Sequence, residues 1–222
     1  MFSGFDPRFF AFLNELKSQN TREWFADNKA RYVAEVETPA LQFIAALAPA
    51  LKAISPRFIA RPTRMGGSLF RIHRDTRFSP DKTPFKTHIA MRFQHDAKGL
   101  ERPPSFYLHL SPSECMGGGG LYHTDMPAVR KIRQRIHDEP RDWQRVRESG
   151  LEIRGEQLKR VPPPYPAAHG FADDLRRKDY YAIETFTVEE AMASDFVDRY
   201  ASECARVAPL VRFLCGALAV PF

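Results

Sequence analysis

The chain has 222 residues, of which 43% are hydrophobic and 18 are phenylalanine, so it can fill the core of one domain spanning residues 1–222. No apolar run approaches the ~20 residues of a membrane span, and the first residues lack the basic and apolar regions of a signal peptide, so we expect a cytoplasmic protein without a membrane partner. The net charge is +6, and the three cysteines, an odd number without a C-x-x-C pair, indicate neither a disulfide framework nor a zinc ribbon.

The first quarter of the chain has the apolar spacing of helices. Helix starts are predicted at Asp6-Pro7, at an Asn20 to Glu23 capping box and at Thr38-Pro39, the last helix running to about Leu51. Aromatic side chains recur on one face of these helices, which favours core packing over a ligand pocket.

From Gly67 the pattern changes to a period of two, which predicts half-buried strands. The predicted strands are Leu69 to His73, with Phe70 and Ile72 inward, then His88 to Gln94, Phe106 to Ser111, Leu121 to His123 and Tyr180 to Thr185. One polar and one apolar face indicate an antiparallel sheet covered by helices on one side. The run Gly117 to Gly120 between two of these strands predicts a flexible hairpin turn.

Helices return in the second half of the chain. Thr124 or Asp125 begins a helix whose Arg130, Lys131, Arg133 and Arg135 are expected to face largely outward, and Asp142 to Glu148 predicts another helical piece. Ser194 begins a final helix that Pro209 is expected to kink or divide. The fold prediction is therefore a single α+β domain, with a mostly antiparallel sheet, helices packed on one face, and helical segments at both ends.

The segment from Arg71 to His88, called the signature segment below, is the most informative part of the sequence. It holds nine ionisable side chains, and Pro80 and Pro84 each remove a backbone donor, so its centre predicts an ordered loop. The region 57–102 has eleven Lys and Arg against four Asp and Glu, so it carries all of the net positive charge. A surface of this kind attracts phosphates, carboxylates or nucleic acid.

The signature segment resembles the sequence R-x-x-R-D-x-R-F-x-x-D-K-x-P-Y-K-x-H of a bacterial family called domain of unknown function 2461. The one departure is Phe85, which keeps the aromatic ring of the tyrosine and lacks its hydroxyl. Further similarity is found at Glu23 to Phe25, at Phe106 to His109 and the glycines after it, and around Leu158 to Pro163. The resemblance covers nearly the whole chain and implies no function.

We expect the polar sides of the first three strands to lie on one face beside the loop from Arg74 to Lys86. The predicted ligand-binding residues are Arg71, Arg74, Arg77, Lys82, Lys86, Arg92, Tyr107 and His109, with Asp75 and Asp81 as supporting residues and His73 on the same face. Arginine forks and lysine charges suit phosphate or carboxylate. The loop has two more cations than carboxylates, and a small anionic ligand would supply the missing charge. No cofactor is expected.

Three alternatives stay open. An enzyme acting on a phosphorylated or otherwise anionic substrate would use His88 as catalytic acid or base. A nucleic-acid binder would use the basic face, extended by the outward arginines that follow Asp125. The charged loop would otherwise be only a structural ion-pair network. We expect no metal site, because His73, His88 and His109 lack ligand spacing and the nearby cations repel a metal ion.

Overall fold

The computed structural model of the chain describes residues 2–222. Its helices are α1 (Pro7–Ser18), α2 (Arg22–Asp27), α3 (Lys29–Arg31), a π-helical stretch (Tyr32–Glu37), α4 (Thr38–Ile54), α5 (Met126–Asp138), α6 (Pro140–Glu148), α7 (Ala172–Leu175), α8 (Val188–Met192) and α9 (Phe196–Ala217). Its strands are β1 (Ile89–Gln94), β2 (Ser105–Leu110), β3 (Cys115–Leu121) and β4 (Tyr180–Phe186). The predicted α+β fold is confirmed.

The strands form one four-stranded antiparallel sheet in the order β1-β2-β3-β4. Apolar side chains of one sheet face pack against α9, which lies along β3, and α4 packs on α9. The alternate residues of each strand make the opposite face, where Arg92 of β1 is paired with Tyr107 of β2. Burial of one face therefore leaves the polar residues of the other face together, and that face holds the candidate site.

Helix starts are set by side-chain caps, two of them at the predicted residues. Asp6 accepts a hydrogen bond from the amide of Arg8 at the start of α1, and Asp125 caps α5 in the same way. The predicted capping box at Asn20 is wrong, because Thr21 caps α2 instead. The Asn20 amide group instead donates to the carbonyl of Phe85 and accepts from its N–H, both at 3.0 Å, which fastens the signature segment to the N-terminal helices.

The predicted hairpin turn at the glycine run is wrong, because these residues form most of β3. A Cβ on Gly117 would come within 2.6 Å of the Tyr200 ring, and one on Gly119 within 3.1 Å of the Val207 and Val211 side chains, all on α9. Glycine at these two positions thus allows the helix to pack directly on the strand backbone. The predicted strand at 121–123 is only the last residue of β3 and the two residues after it.

The predicted strand at 69–73 is an extended segment that joins the sheet at one point. Leu69 forms an isolated bridge with Met91 of β1, and His73 forms another with Phe85 farther along the signature segment. Leu69 and Ile72 are buried, whereas Phe70 is 36% exposed, so the predicted inward position of Phe70 is wrong. The segment pairs with β1 at Leu69 and with the signature segment at His73, so its side chains do not alternate between two sheet faces as they would in a regular strand.

Two predictions for the C-terminal half also need correction. The residue at the N-cap of α9 is Asp195 and not Ser194, and α9 continues unbroken through Pro209 for 22 residues. Despite that length, neither α9 nor any other helix within residues 2–222 is long and apolar enough to cross a membrane. Arg133 of α5, predicted to face outward, is 3% exposed and donates to the carbonyl of Arg177 at 2.8 Å.

Candidate functional site

A pocket of about 590 Å³ lies on the sheet face that the helices leave open. We call it the sheet-face pocket. Its predicted site residues are Lys86, His88, Arg92, Tyr107 and His109, and its other lining includes Phe70, Arg102, Met116, Tyr122, Tyr181 and Ile183. Antiparallel register explains the grouping, because Tyr107 and His109 alternate along β2 and face the β1 residues across the ladder.

The wall of the pocket is aromatic on two sides. Tyr122 follows β3 and meets the Tyr181 ring edge-on, with centroids 5.4 Å apart. The Phe70 ring lies at the opposite side, with Lys86 Nζ 5.3 Å and the Arg92 guanidinium carbon 5.5 Å from its centroid. Rings beside cations form a surface that suits an organic anion with an apolar or aromatic body.

The charge of the sheet-face pocket is positive. Lys86, Arg92 and Arg102 line it, and none of its lining residues in the described chain is acidic. Burial lowers the pKa values of Lys86 and Arg92, with the neighbouring charges of Arg71 and Arg102 acting in the same direction. An anion in the pocket would stabilise these half-buried cations, because it would supply the counter-charge that the lining lacks.

His88 and His109 form a stacked pair at one end of the pocket. Their ring centroids are 4.3 Å apart with 27° between the planes, and the Tyr107 hydroxyl lies 3.4 Å from Nδ1 of His109. Burial first, and then the nearness of His109 and Lys86, lowers the pKa of His88 from 6.5 to about 4. Burial also lowers the pKa of His109. Both rings are therefore neutral at neutral pH, and each has a nitrogen able to accept a proton.

A His88→Gln variant is expected to lose stability less steeply in acid than the wild type. The folded-state pKa of His88 is lower than 6.5, so unfolding takes up a proton between pH 6.5 and about 4. The contribution of the neutral ring to stability is complete above pH 6.5 and is lost as the pH falls toward 4. Urea unfolding at a series of pH values measures this slope. Equal slopes for the variant and the wild type would contradict the assignment.

The charged loop of the signature segment is held by its own ion pairs. Arg77 and Asp75 are 2.7 Å apart, Arg74 pairs with Asp81, and the Arg74 guanidinium also contacts the Thr83 hydroxyl. The hydrogen bonds from Arg77 lower the pKa of Asp75 to about 2. The Thr83 amide, and then Arg74, lower the pKa of Asp81 to about 2. Both aspartates are therefore constant negative charges that orient the arginines.

The two surplus cations of the loop have no acidic partner within residues 2–222. Lys82 Nζ donates to the carbonyl of Thr76 at 3.0 Å, and Lys86 Nζ donates to the carbonyl of Arg71 at 3.1 Å. They face different cavities. Lys86 lines the sheet-face pocket, whereas Lys82 lines a cleft of about 830 Å³ against α2, which we call the loop cleft.

The residues predicted to converge are thus divided between several places. His73 and Arg74 line the loop cleft with Lys82, and Arg71 borders a cavity of about 190 Å³ on another side of the segment. Arg77 is 76% exposed at the loop tip, where it lies over the ring of Phe78. None of these residues lines the sheet-face pocket.

The family of the chain follows from comparison with family models. The model described as "Conserved hypothetical protein (DUF2461)" matches residues 8–213, a range that includes the signature segment and every strand of the sheet. The chain belongs to the DUF2461 family. No curated protein and no solved structure matches it.

Phe85, the one departure from the resemblance described above, lies in the core. Its ring is 4% exposed and stacks on Phe25 of α2 with centroids 4.0 Å apart, while His73 packs beside both rings. A buried tyrosine hydroxyl at this place would need a hydrogen-bond partner, and phenylalanine needs none. The ring at this position therefore anchors the signature segment to the N-terminal helices of this member.

Outside the sheet-face pocket, the basic surface offered by α5 is smaller than the sequence indicated. Arg133 is buried. Arg135, in the last turn of α5, pairs with Glu139 at 2.9 Å and lies over the ring of Phe213. Only Arg130 and Lys131 of the predicted group are exposed. Within residues 2–222, no three or more His, Cys, Asp or Glu side chains are grouped so that they could hold a metal ion.

Proposed function

We propose that this DUF2461 protein binds a small organic anion, with a phosphate or carboxylate group and an apolar or aromatic body, in the sheet-face pocket. The observation that supports it best is the charge of the lining: three cations, Lys86, Arg92 and Arg102, and no acidic side chain among the described lining residues. Among the three cations, Lys86 supports the proposal most strongly, because its side chain is half-buried and its ammonium group has a backbone carbonyl as its hydrogen-bond partner.

The shape of the pocket supports a ligand larger than a bare ion. Arginine binds phosphate or carboxylate through two parallel N–H groups, and Arg92 has one of its nitrogens engaged by Gln94 at 2.9 Å, which fixes the direction of the guanidinium. Phe70, Tyr107 and Tyr122 supply rings for the apolar body. Arg74, Asp75, Arg77 and Asp81 are proposed to hold the loop in shape, since they are paired with one another.

A second candidate function is an enzyme that acts on such an anion. The specific observation in its favour is the neutral His88, which lines the pocket beside Lys86 and can take a proton from a bound substrate. In that case His88→Gln abolishes turnover of a phosphoester or acyl substrate and leaves its binding intact. Retention of turnover in the variant would exclude His88 as the catalytic base.

Calorimetric titration with inorganic phosphate, phenyl phosphate and benzoate tests the binding proposal. Phenyl phosphate is expected to bind more tightly than inorganic phosphate because the pocket is aromatic. Lys86→Met is expected to weaken phenyl phosphate binding about tenfold or more, since a hydrogen bond to a charged group contributes about 1.5–3 kcal/mol.

Lys82→Met is the matched comparison. Lys82 belongs to the same segment and also donates to a backbone carbonyl, but it lines the loop cleft. Phenyl phosphate binding unchanged in Lys82→Met and weakened in Lys86→Met supports the sheet-face pocket. Equal losses in the two variants, or no binding of any of the three probes by the wild type, would overturn the proposal.

A further inference from the structure

A second cavity borders the sheet-face pocket at its histidine end. This cavity, called the junction cleft below, has a volume of about 430 Å³ and lies between the end of α1 and the signature segment. Lys17, Asn20, Arg74, Lys86 and His88 line it, together with Asp81 and Thr87. Lys86 and His88 line the sheet-face pocket as well, so the two cavities are neighbours that share these side chains.

The positive charge of the junction cleft exceeds its negative charge. Asp81 is its one acidic lining residue within the described chain, and Asp81 is already paired with Arg74. Lys17 and Lys86 remain, and neither has a carboxylate within ion-pair distance among residues 2–222. Two lysines without acidic partners on one cleft make a second place for an anionic group.

Lys17 connects the junction cleft to the histidine pair from another direction. It also lines a polar cavity of about 270 Å³ whose other lining residues include His88, His109 and one acidic residue, Glu114, which is not within ion-pair distance of Lys17. The dipole of a helix stabilises a lysine in its last turn, and this effect is enough to explain a lysine at position 17 in α1. The dipole does not account for its position beside two cavities that both border His88.

We infer that the ligand of this site is a small organic compound with two separated anionic groups, one held in the sheet-face pocket by Arg92 and Arg102 and the other in the junction cleft by Lys17, with Lys86, which lines both cavities, between them. Its body then lies across the ring of His88. Phosphorylated carboxylic acids and bisphosphorylated compounds are the chemical classes that fit. The inference rests on the proposed function, because it extends the same site by a second anion position.

The geometry also defines what each end contributes. Arg92 and Arg102 act on an anion next to the aromatic walls, so a ligand with one charge and an aromatic body already has a place there. Lys17 can act only on a second charge beyond His88, because it does not line the sheet-face pocket. Substitution of Lys17 is therefore expected to affect the binding of a ligand with two charged ends and not that of a ligand with one.

The experiment compares phenyl phosphate with two probes that carry an added carboxylate, 4-carboxyphenyl phosphate and the longer 3-(4-phosphonooxyphenyl)propanoate, by calorimetric titration. The wild type is expected to bind at least one of the longer probes fivefold or more tightly than phenyl phosphate. Lys17→Ala is expected to remove this gain and to leave the affinity for phenyl phosphate unchanged. The control is Lys52→Ala, an exposed lysine in the last turn of α4 that lines none of these cavities.

The outcomes separate the two proposals. If phenyl phosphate binds and the added carboxylate brings no gain, or the gain persists in Lys17→Ala, the second anion position is wrong and the proposed function stands. If a two-ended probe binds more tightly than phenyl phosphate and Lys17→Ala removes that gain, the second position is supported. If no probe binds, both proposals fail. Lys17 is exposed, so an unchanged melting temperature is expected for both alanine variants.

Discussion

A Gly118→Ala variant is expected to lose roughly 3 kcal/mol of its free energy of unfolding, or to fail to fold. A Cβ at this position of β3 would lie 2.0 Å from the carbonyl oxygen of Ala182 and 2.7 Å from the Cα of Ile183, both in the backbone of β4. Backbone atoms of a paired strand cannot move aside as the end of a flexible side chain can. The two strands would have to separate locally, at the cost of ladder hydrogen bonds.

Urea unfolding measures this loss, with Gly170→Ala as the matched control. A Cβ on Gly170 would have no atom within 4 Å, so its substitution is expected to change stability by no more than about 0.5 kcal/mol. Similar midpoints for both variants would show that β3 and β4 are not paired as described.

An Asp174→Ala variant is expected to lose about 3–5 kcal/mol, because it leaves buried partners without their acceptor. The Asp174 carboxylate is 5% exposed and accepts from the Trp143 indole N–H at 2.9 Å and from Arg177 Nε at 3.1 Å. Trp143 is fully buried, so its N–H has no water to replace the lost acceptor. The guanidinium of Arg177, only 12% exposed, would also lose its counter-charge.

The neighbouring Asp173→Ala is the control for this prediction. Asp173 is 78% exposed and pairs with Arg176 at 2.7 Å on the surface, where an ion pair contributes about 0–1 kcal/mol. The melting temperatures of the two alanine variants are therefore expected to differ by several degrees, and Asp174→Ala is expected to unfold at a clearly lower urea concentration. If Asp174→Ala lost less than about 1 kcal/mol, water would have to replace the carboxylate as the partner of Trp143 and Arg177, and the site would be more accessible to solvent than described.

The sheet and its helical cover were predictable from local pattern, and the glycine strand was not. Strands β1 and β2 alternate apolar and polar side chains, and that alternation is a property of the strand itself. Gly117 and Gly119 have no side chain to alternate, so their place in a strand is defined by the α9 residues they contact, about 80 to 90 residues later in the sequence. The same holds for helix caps. Asp125 was predictable because it caps the helix that follows it, whereas Asn20 was not, because its hydrogen-bond partner is Phe85, far along the chain.

Prediction of the candidate site met a similar limit. The signature segment supplied Lys86 and His88, and strand alternation supplied Arg92, Tyr107 and His109, all of which line one pocket. Tyr122, Tyr181 and, in the junction cleft, Lys17 were missed because they come from distant parts of the chain that only the tertiary fold brings near. Arg102 was missed because it lies in the loop before β2, where no strand alternation indicates which way its side chain points. Arg71 and Arg77 were included because position in the segment alone does not reveal which way each side chain turns.

The two hydrogen bonds between Asn20 and Phe85 bear on how the protein can be dissected. One side chain, 65 residues earlier in the sequence, satisfies both backbone groups of the residue next to Lys86. A fragment that begins at Phe70, one residue before the signature segment, would retain every strand of the sheet and all the residues that line the sheet-face pocket. It would nevertheless lack the partner that sets the backbone of Phe85. The smallest piece of chain able to reproduce the pocket therefore includes the N-terminal helices, although they contribute no side chain to its wall.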